Sequence, residues 1–172
     1  MNRLLQGDVG SGKTVVAAIA AYVAFLNAKQ TIFMAPTEIL AQQHYATLTK
    51  LLNPFGLSVS LETGSQKSKK NAKAADLYVG THALLEQRVE TPRLGLIVID
   101  EQHRFGVRQR ALLREKGEAP HVLTMTSTPI PRTIALAFHG DLDLSVLDQL
   151  PVGRIPIKTW VVTPGKRMAA YD

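Results

Sequence analysis

The chain has 172 residues, 45% of them hydrophobic, with 20 Lys+Arg against 14 Asp+Glu and a net charge of +6. That length suits one domain with a substantial core, and that apolar content excludes an intrinsically disordered chain. The absence of cysteine rules out disulfides and thiolate metal sites and fits a reducing compartment, the five histidines are scattered with no pair at ligand spacing, and the basic excess favours a polyanionic partner.

In chain order, short apolar runs alternate with helix-length segments. Residues 3–5 read as the end of a strand that enters Gly7-Asp8-Val9-Gly10-Ser11-Gly12-Lys13-Thr14, and 14–28 read as a helix. The loop matches G-x-x-x-x-G-K-[ST] in full, between a strand and a helix. Its glycines let the backbone curl so that several N–H groups face one point, where phosphate oxygens can accept them. The helix that follows adds the positive end of its dipole. Gly7, Asp8, Gly10, Ser11, Gly12, Lys13 and Thr14 are therefore the candidate nucleotide-binding residues. Lys13 is expected on the β- and γ-phosphates, and the Thr14 hydroxyl on Mg²⁺. The apolar stretch at 15–26 is too short to span a bilayer, which takes about 20 residues.

Residues 31–35 (TIFMA) read as a buried strand, and 38–52 as a helix that Asn53-Pro54-Phe55-Gly56 breaks. Strands follow at 59–63 and 77–80, then a short helix from Ala83 and a strand at 96–100 (LIVID). A helix at 107–116 stops at Gly117, a strand spans 122–126, a helix at 132–139 closes at Gly140, and 142–147 is the last strand of the unit. Strands apolar on both faces and separated by helices require an α/β fold: a mostly parallel sheet with helices on both faces and right-handed crossovers. Ligands of such sheets bind beyond the carboxyl ends of the strands, so residues that follow strands are the candidates.

Two segments differ from this alternation. Lys67-Ser68-Lys69-Lys70-Asn71-Ala72-Lys73 is a basic run expected in an exposed loop or helix start. Leu150-Pro151-Val152-Gly153-Arg154-Ile155-Pro156 reads as a linker, and 157–162 as a strand with no sheet left to join. The expected organisation is a nucleotide-binding lobe at 1–149, a linker at 150–156, and the opening of a second, truncated domain at 157–172. A start one short strand before the phosphate loop gives the same expectation of a piece of a longer chain.

Asp100-Glu101-Gln102-His103 follows the LIVID strand. An acid at a strand end suits the second Mg²⁺ contact, and a neighbouring carboxylate can polarise the attacking water. Asp100 is assigned to the metal and Glu101 to the water. The plainer alternative is a pair that caps the next helix.

Asp-Glu-x-His after an apolar strand resembles motif II of superfamily 2 helicases. The loop at 7–14 then stands as their motif I, Ala35-Pro36-Thr37-Glu38 as motif Ia, Val79-Gly80-Thr81-His82 as motif Ib and Thr126-Ser127-Thr128-Pro129 as motif III, all in order. The longer strings Asp100-Glu101-Gln102-His103-Arg104-Phe105-Gly106-Val107 and Pro129-Ile130-Pro131-Arg132-Thr133 narrow the resemblance to the RecG family of branch-migration helicases, over nearly the whole chain. That family commonly has alanine where this chain has Ser127. The transcription-repair coupling factors share much of the pattern but typically carry a second Glu in place of Gln102.

The resemblance implies the first RecA-like P-loop lobe of a two-lobed motor of the bacterial cytoplasm, with ATP and Mg²⁺ as cofactors and no membrane partner. It implies ATP-driven movement on double-stranded or branched DNA, with fork reversal and Holliday-junction branch migration in repair and recombination. Carried over by position, Lys13, Asp100 and Glu101 are catalytic, and Thr14 and Asp100 hold Mg²⁺. Pro36, Thr37, Gly80, Thr81 and His82 become contacts to the DNA backbone, where amides and hydroxyls position without reading sequence. Thr37 has a second reading, as the N-cap of the helix at 38–52. Gln102, His103, Thr126, Ser127 and Thr128 link the nucleotide state to lobe movement. The family's second lobe supplies an arginine finger, which contributes about 10³–10⁵ in turnover, and a wedge domain reads the DNA. Without them the lobe is expected to bind MgATP or MgADP weakly and to hydrolyse ATP negligibly. A P-loop kinase or switch and a non-catalytic nucleotide-binding module are the competing readings, and the Asp-Glu-x-His and Thr-Ser-Thr-Pro pair argues against the first.

Overall fold

The computed structural model describes residues 1–64, 74–81, 84, 91–101, 120–128, 143–149, 160–163, 165 and 167. These hold β1 (Asn2–Gly7), α1 (Lys13–Leu26), β2 (Gln30–Met34), α2 (Glu38–Leu52), a 3-10 turn at Asn53–Phe55, β3 (Val59–Glu62), β4 (Leu77–Gly80), β5 (Leu94–Asp100), β6 (His121–Thr126) and β7 (Asp143–Leu147). The strands form one sheet in the order β3-β4-β2-β5-β6-β1-β7. Every described pairing is parallel. All carboxyl ends therefore open on one edge of the sheet, where Gly7, Met34, Gly80, Asp100 and Thr126 end their strands.

Successive residues of a strand point to opposite faces, and both faces are apolar. Phe33, Val79, Val98, Leu123, Met125 and Leu5 share one buried cluster with Ala17, Ala18 and Ala21 of α1 and with Ala41, Leu48 and Leu52 of α2. Their neighbours Ile32, Met34, Tyr78, Ile97 and Ile99 form the cluster on the other face, with Leu84. Alanines on the buried faces of both helices let them lie close to the sheet. Leu84 is helical and buried, in agreement with a short helix there.

Gln30 opens β2 as a polar residue in the core, 1% exposed. Its Nε2 donates to the Ala75 carbonyl at 2.9 Å, and its Oε1 accepts from the Arg93 amide at 3.3 Å. One side chain thus fixes the chain just before both β4 and β5, the strands that flank β2. On the exposed edge Arg3 ties β1 to β7, reaching Ser145 Oγ at 2.8 Å and Asp143 Oδ2 at 3.1 Å.

The helix at 38–52 lies where the sequence sets it, and the other described elements through β7 lie within two residues of expectation. One expectation is corrected. Trp160, Val161 and Val162 of the expected strand at 157–162 stand in no strand, and Val161 is 98% exposed. A strand needs a hydrogen-bonding neighbour, and none of the described residues provides one here. The basic run at 67–73, the helices at 107–116 and 132–139 and the linker at 150–156 lie outside the described residues.

Candidate nucleotide and nucleic-acid site

The phosphate loop is shaped by its glycines. A Cβ on Gly7 would lie 2.5 Å from Ser11 Oγ and 3.0 Å from the Leu147 Cβ, so the turn out of β1 closes only without a side chain. Gly10 and Gly12 have φ of 80° and 97°, in the left-handed region that other residues enter at a cost. The Ser11 amide donates to the Asp8 carbonyl at 3.1 Å, and the Gly12 carbonyl accepts from the Val15 and Val16 amides, which starts α1 at once. Gly12 is the N-cap of α1 and makes no side-chain cap, and the first turn holds no acidic residue. The leading N–H groups of the helix are therefore left for an anion, at the positive end of the dipole.

Lys13 is buried, 8% exposed. Its Nζ donates to the Gly7 carbonyl at 2.8 Å and to the Asp8 carbonyl at 2.9 Å. The ammonium is lodged inside the curl, two of its three protons are taken by the loop itself, and a phosphate oxygen can take the third. Ser11 Oγ is buried with no hydrogen-bond partner among the described residues. An orphaned hydroxyl, a buried cation and uncapped amides around one turn fit a nucleotide phosphate.

Two strands along the same edge, β5 ends in the acidic pair. Register sets Asp100 beside Met125, and Met125 beside Leu5. The acid is therefore about 10 Å from β1, two strand spacings, with only β6 between. Asp100 Oδ2 accepts from His44 Nε2 of α2 at 2.8 Å, and the two side chains are 13% and 14% exposed. Among the described residues no group of three or more acidic or histidine side chains could hold a metal alone. A magnesium ion here would need phosphate oxygens to complete its shell, as this cation commonly does. Asp100 and the Thr14 hydroxyl are the residues that would hold it.

Glu101 has φ 50°, a left-handed residue with a side chain, and this bends the chain sharply after β5. Its amide donates to the Met125 carbonyl at 3.1 Å, and its Oε1 accepts from the Ser127 amide at 3.0 Å. The Thr128 amide donates to Thr126 Oγ1 at 3.1 Å, and Thr126 is fully buried. The structure thus brings Glu101 to the run Thr126, Ser127 and Thr128, from which the sequence keeps it more than twenty residues away.

The other half of the edge carries the segments after β2 and β4. The Ala35 amide donates to the Gly80 carbonyl at 2.8 Å, which joins the two. Thr37 is exposed and caps α2, its Oγ1 accepting from the Leu40 amide at 3.3 Å. Pro36 and Thr81 are half-buried, whereas Gly80 is buried. Gly80 is there for packing, because a Cβ would collide with the Glu62 carbonyl oxygen and with Leu84. His82, Gln102 and His103 lie outside the described residues.

Sequence reasoning missed His44, which read as one of five scattered histidines. A signal was present. His44 lies in register with Ala41 and Leu48, both fully buried, so a polar ring occupies the apolar stripe of α2.

Comparison with known proteins follows the same lines. A family model described as DEAD/DEAH box helicase matches residues 1–137. The ATP-dependent DNA helicase RecG of Synechocystis sp. is 54% identical over 180 residues, which cover 100% of this chain and 22% of that protein. The RecG of Streptococcus pneumoniae is 55% identical over 170 residues, 94% of this chain and 25% of that one. Among solved structures, RecG bound to a three-way DNA junction matches with a TM-score of 0.81 at 42% identity, over 99% of this chain and 24% of its own. The Hef helicase domain of Pyrococcus furiosus, with a TM-score of 0.65 at 24% identity, shows a shared fold alone. The chain spans about a quarter of the length of the RecG proteins it matches.

Proposed function

Because the chain belongs to the DEAD/DEAH box helicase family, we propose that it is the ATP-binding motor lobe of a RecG-type translocase that couples ATP hydrolysis to movement on double-stranded DNA, and so to fork reversal and Holliday-junction branch migration. The RecG proteins it resembles come from bacteria, and the proposed place of action is the bacterial cytoplasm. Residues 1–149 form the lobe, 150–156 the linker, and 157–172 open a second lobe. A wedge domain that reads the junction completes the working protein.

The observation that carries this reading is the bond from the Ser127 amide to the Glu101 carboxylate, beside the phosphate loop. Loop amides and Lys13 bind the phosphates. Thr14 and Asp100 would hold Mg²⁺, whose positive charge would neutralise the phosphates. Glu101 takes the proton of the attacking water, which is general-base work. An ionised acceptor makes a hydrogen bond roughly twice as strong as a neutral one. Protonation of Glu101 therefore weakens its hold on the Ser127 amide, and hydrolysis is felt by the 126–128 loop. A passive binding module has no need of that connection. Pro36, Thr37, Thr81 and His82 are the proposed DNA-backbone contacts; of Gly80 only the backbone can take part, given its packing.

The test has two arms. A fluorescent ATP analogue with Mg²⁺ is titrated into this chain and into Lys13→Ala, with saturable binding expected in the first and lost in the second. The longer protein is then assayed for ATP hydrolysis with linear and branched DNA. Absence of DNA stimulation would overturn the translocase reading and return the lobe to the class of nucleotide switches.

A further inference from the structure

We infer that His44 is a positioning residue for the metal carboxylate, holding Asp100 so that one oxygen is committed to α2 and the other is left for the ion. The inference rests on the proposed reading of Asp100 as the Mg²⁺ contact. A carboxylate is an acceptor only, so the proton of the 2.8 Å bond belongs to His44 Nε2 and the bond falls on Oδ2. Among the described residues Asp100 Oδ1 has no hydrogen-bond partner. The His44 ring is itself fixed. It packs against Phe33 at a centroid separation of 4.7 Å and a tilt of 46°, and Phe33 is 1% exposed.

The placement is costly unless it does something. Ala41 and Leu48, which flank His44 on the same face of α2, are fully buried, and an apolar residue between them would continue the stripe at no polar cost. A histidine there is tolerated because its N–H finds a partner, and that partner is the acid at the end of β5. A carboxylate that would otherwise turn about its Cβ–Cγ bond is thus restricted to one orientation. Outer partners of metal-binding carboxylates act in this way, and their loss typically costs about 10–100-fold in metal affinity or activity.

The test reads Mg²⁺ rather than turnover. Mg²⁺ is titrated into this chain with a fluorescent ATP analogue, and the midpoint is compared with the affinity for the same analogue in EDTA. His44→Leu keeps the apolar stripe and removes the donor; it should raise the Mg²⁺ midpoint about 10–100-fold and leave the EDTA affinity unchanged. His44→Gln, which restores an N–H donor, should recover most of the loss. A residue that only supported the fold would shift both affinities together, and glutamine would rescue no better than leucine. An unchanged midpoint in folded His44→Leu overturns the inference and leaves the nucleotide site standing. Wild-type protein without binding that Lys13→Ala abolishes overturns the nucleotide reading, and the inference with it. Should His44→Leu lose its fold, His44→Gln and His44→Ala decide by the same comparison.

Discussion

Gly80→Ala separates two meanings of one residue. By position in the sequence Gly80 is a DNA-backbone contact; in the structure it is the buried end of β4, paired with Glu62 of β3. An added Cβ would collide with the Glu62 carbonyl oxygen and lie 2.8 Å from Leu84 Cδ1. Leu84 can turn away, but the Glu62 oxygen is backbone. Either β3 peels from β4 at this end, or β4 shifts and the bond from the Ala35 amide to the Gly80 carbonyl is lost. A lost ladder bond is worth about 0.5–1.5 kcal/mol, and forced overpacking about 1–3 kcal/mol. Together they give a destabilisation of about 3 kcal/mol. For a domain of this size each kcal/mol moves Tm by about 2–4 °C, so the melt should fall by about 6–12 °C. Thermal unfolding followed by circular dichroism reads this directly. A variant that melts with the wild type would refute the packing argument. If the melt falls as worked out, weaker DNA binding by Gly80→Ala is no evidence of contact, because the edge that carries the contacts has been damaged.

The remaining predictions concern single side chains. Glu101→Gln keeps an oxygen for the Ser127 amide, so folding and nucleotide binding should be unchanged while hydrolysis by the longer protein falls about 10²–10⁴-fold; near-normal turnover would remove Glu101 from the water. Gln30→Leu leaves the Ala75 carbonyl and the Arg93 amide without their partner and should cost about 1–3 kcal/mol, read as a lowered urea midpoint; an unaltered midpoint means that neither bond matters. Thr37→Ala should lose about 1 kcal/mol of helix capping. Thr37→Asp keeps a cap acceptor but sets a negative charge toward phosphates, so it should melt like the wild type and bind duplex DNA more weakly in the longer protein; equal DNA affinity would confine Thr37 to capping.

The parts of the fold that the sequence makes legible are those fixed by local chemistry. α2 begins and ends where expected because Thr37 caps it and Asn53-Pro54 breaks it. α1 stops at Leu26, short of the expected residue 28, because Ala28 takes φ 55°, which a right-handed helix does not accept, and the Lys29 amide then turns back to the Ala24 carbonyl. β5 starts at Leu94 rather than 96 because Leu94 pairs with Gln30 across an irregular step in the register, and pairing partners are not written in the strand itself. The segment at 157–162 shows the converse. Its β-branched and aromatic residues suit a strand, yet residues 160–162 form no strand, because composition sets a preference and not a neighbour.

The site divides along the same line. The phosphate loop is legible because eight consecutive residues make it. The place of Ser127 is less so: it meets Glu101 through its backbone amide, which any residue but proline supplies. His44 is the least legible, since its partner Asp100 lies 56 residues away. What turns these pieces into one device is strand order. With β6 between β1 and β5, the loop after β6 must emerge between the phosphate loop and the acids, where its Ser127 amide meets Glu101. On the other side of β5 stands β2, followed by α2. The acidic pair is thus gripped from two directions, Glu101 from β6 and Asp100 from α2. The helix that grips Asp100 is also the one whose first residue follows Thr37, at the proposed DNA rim.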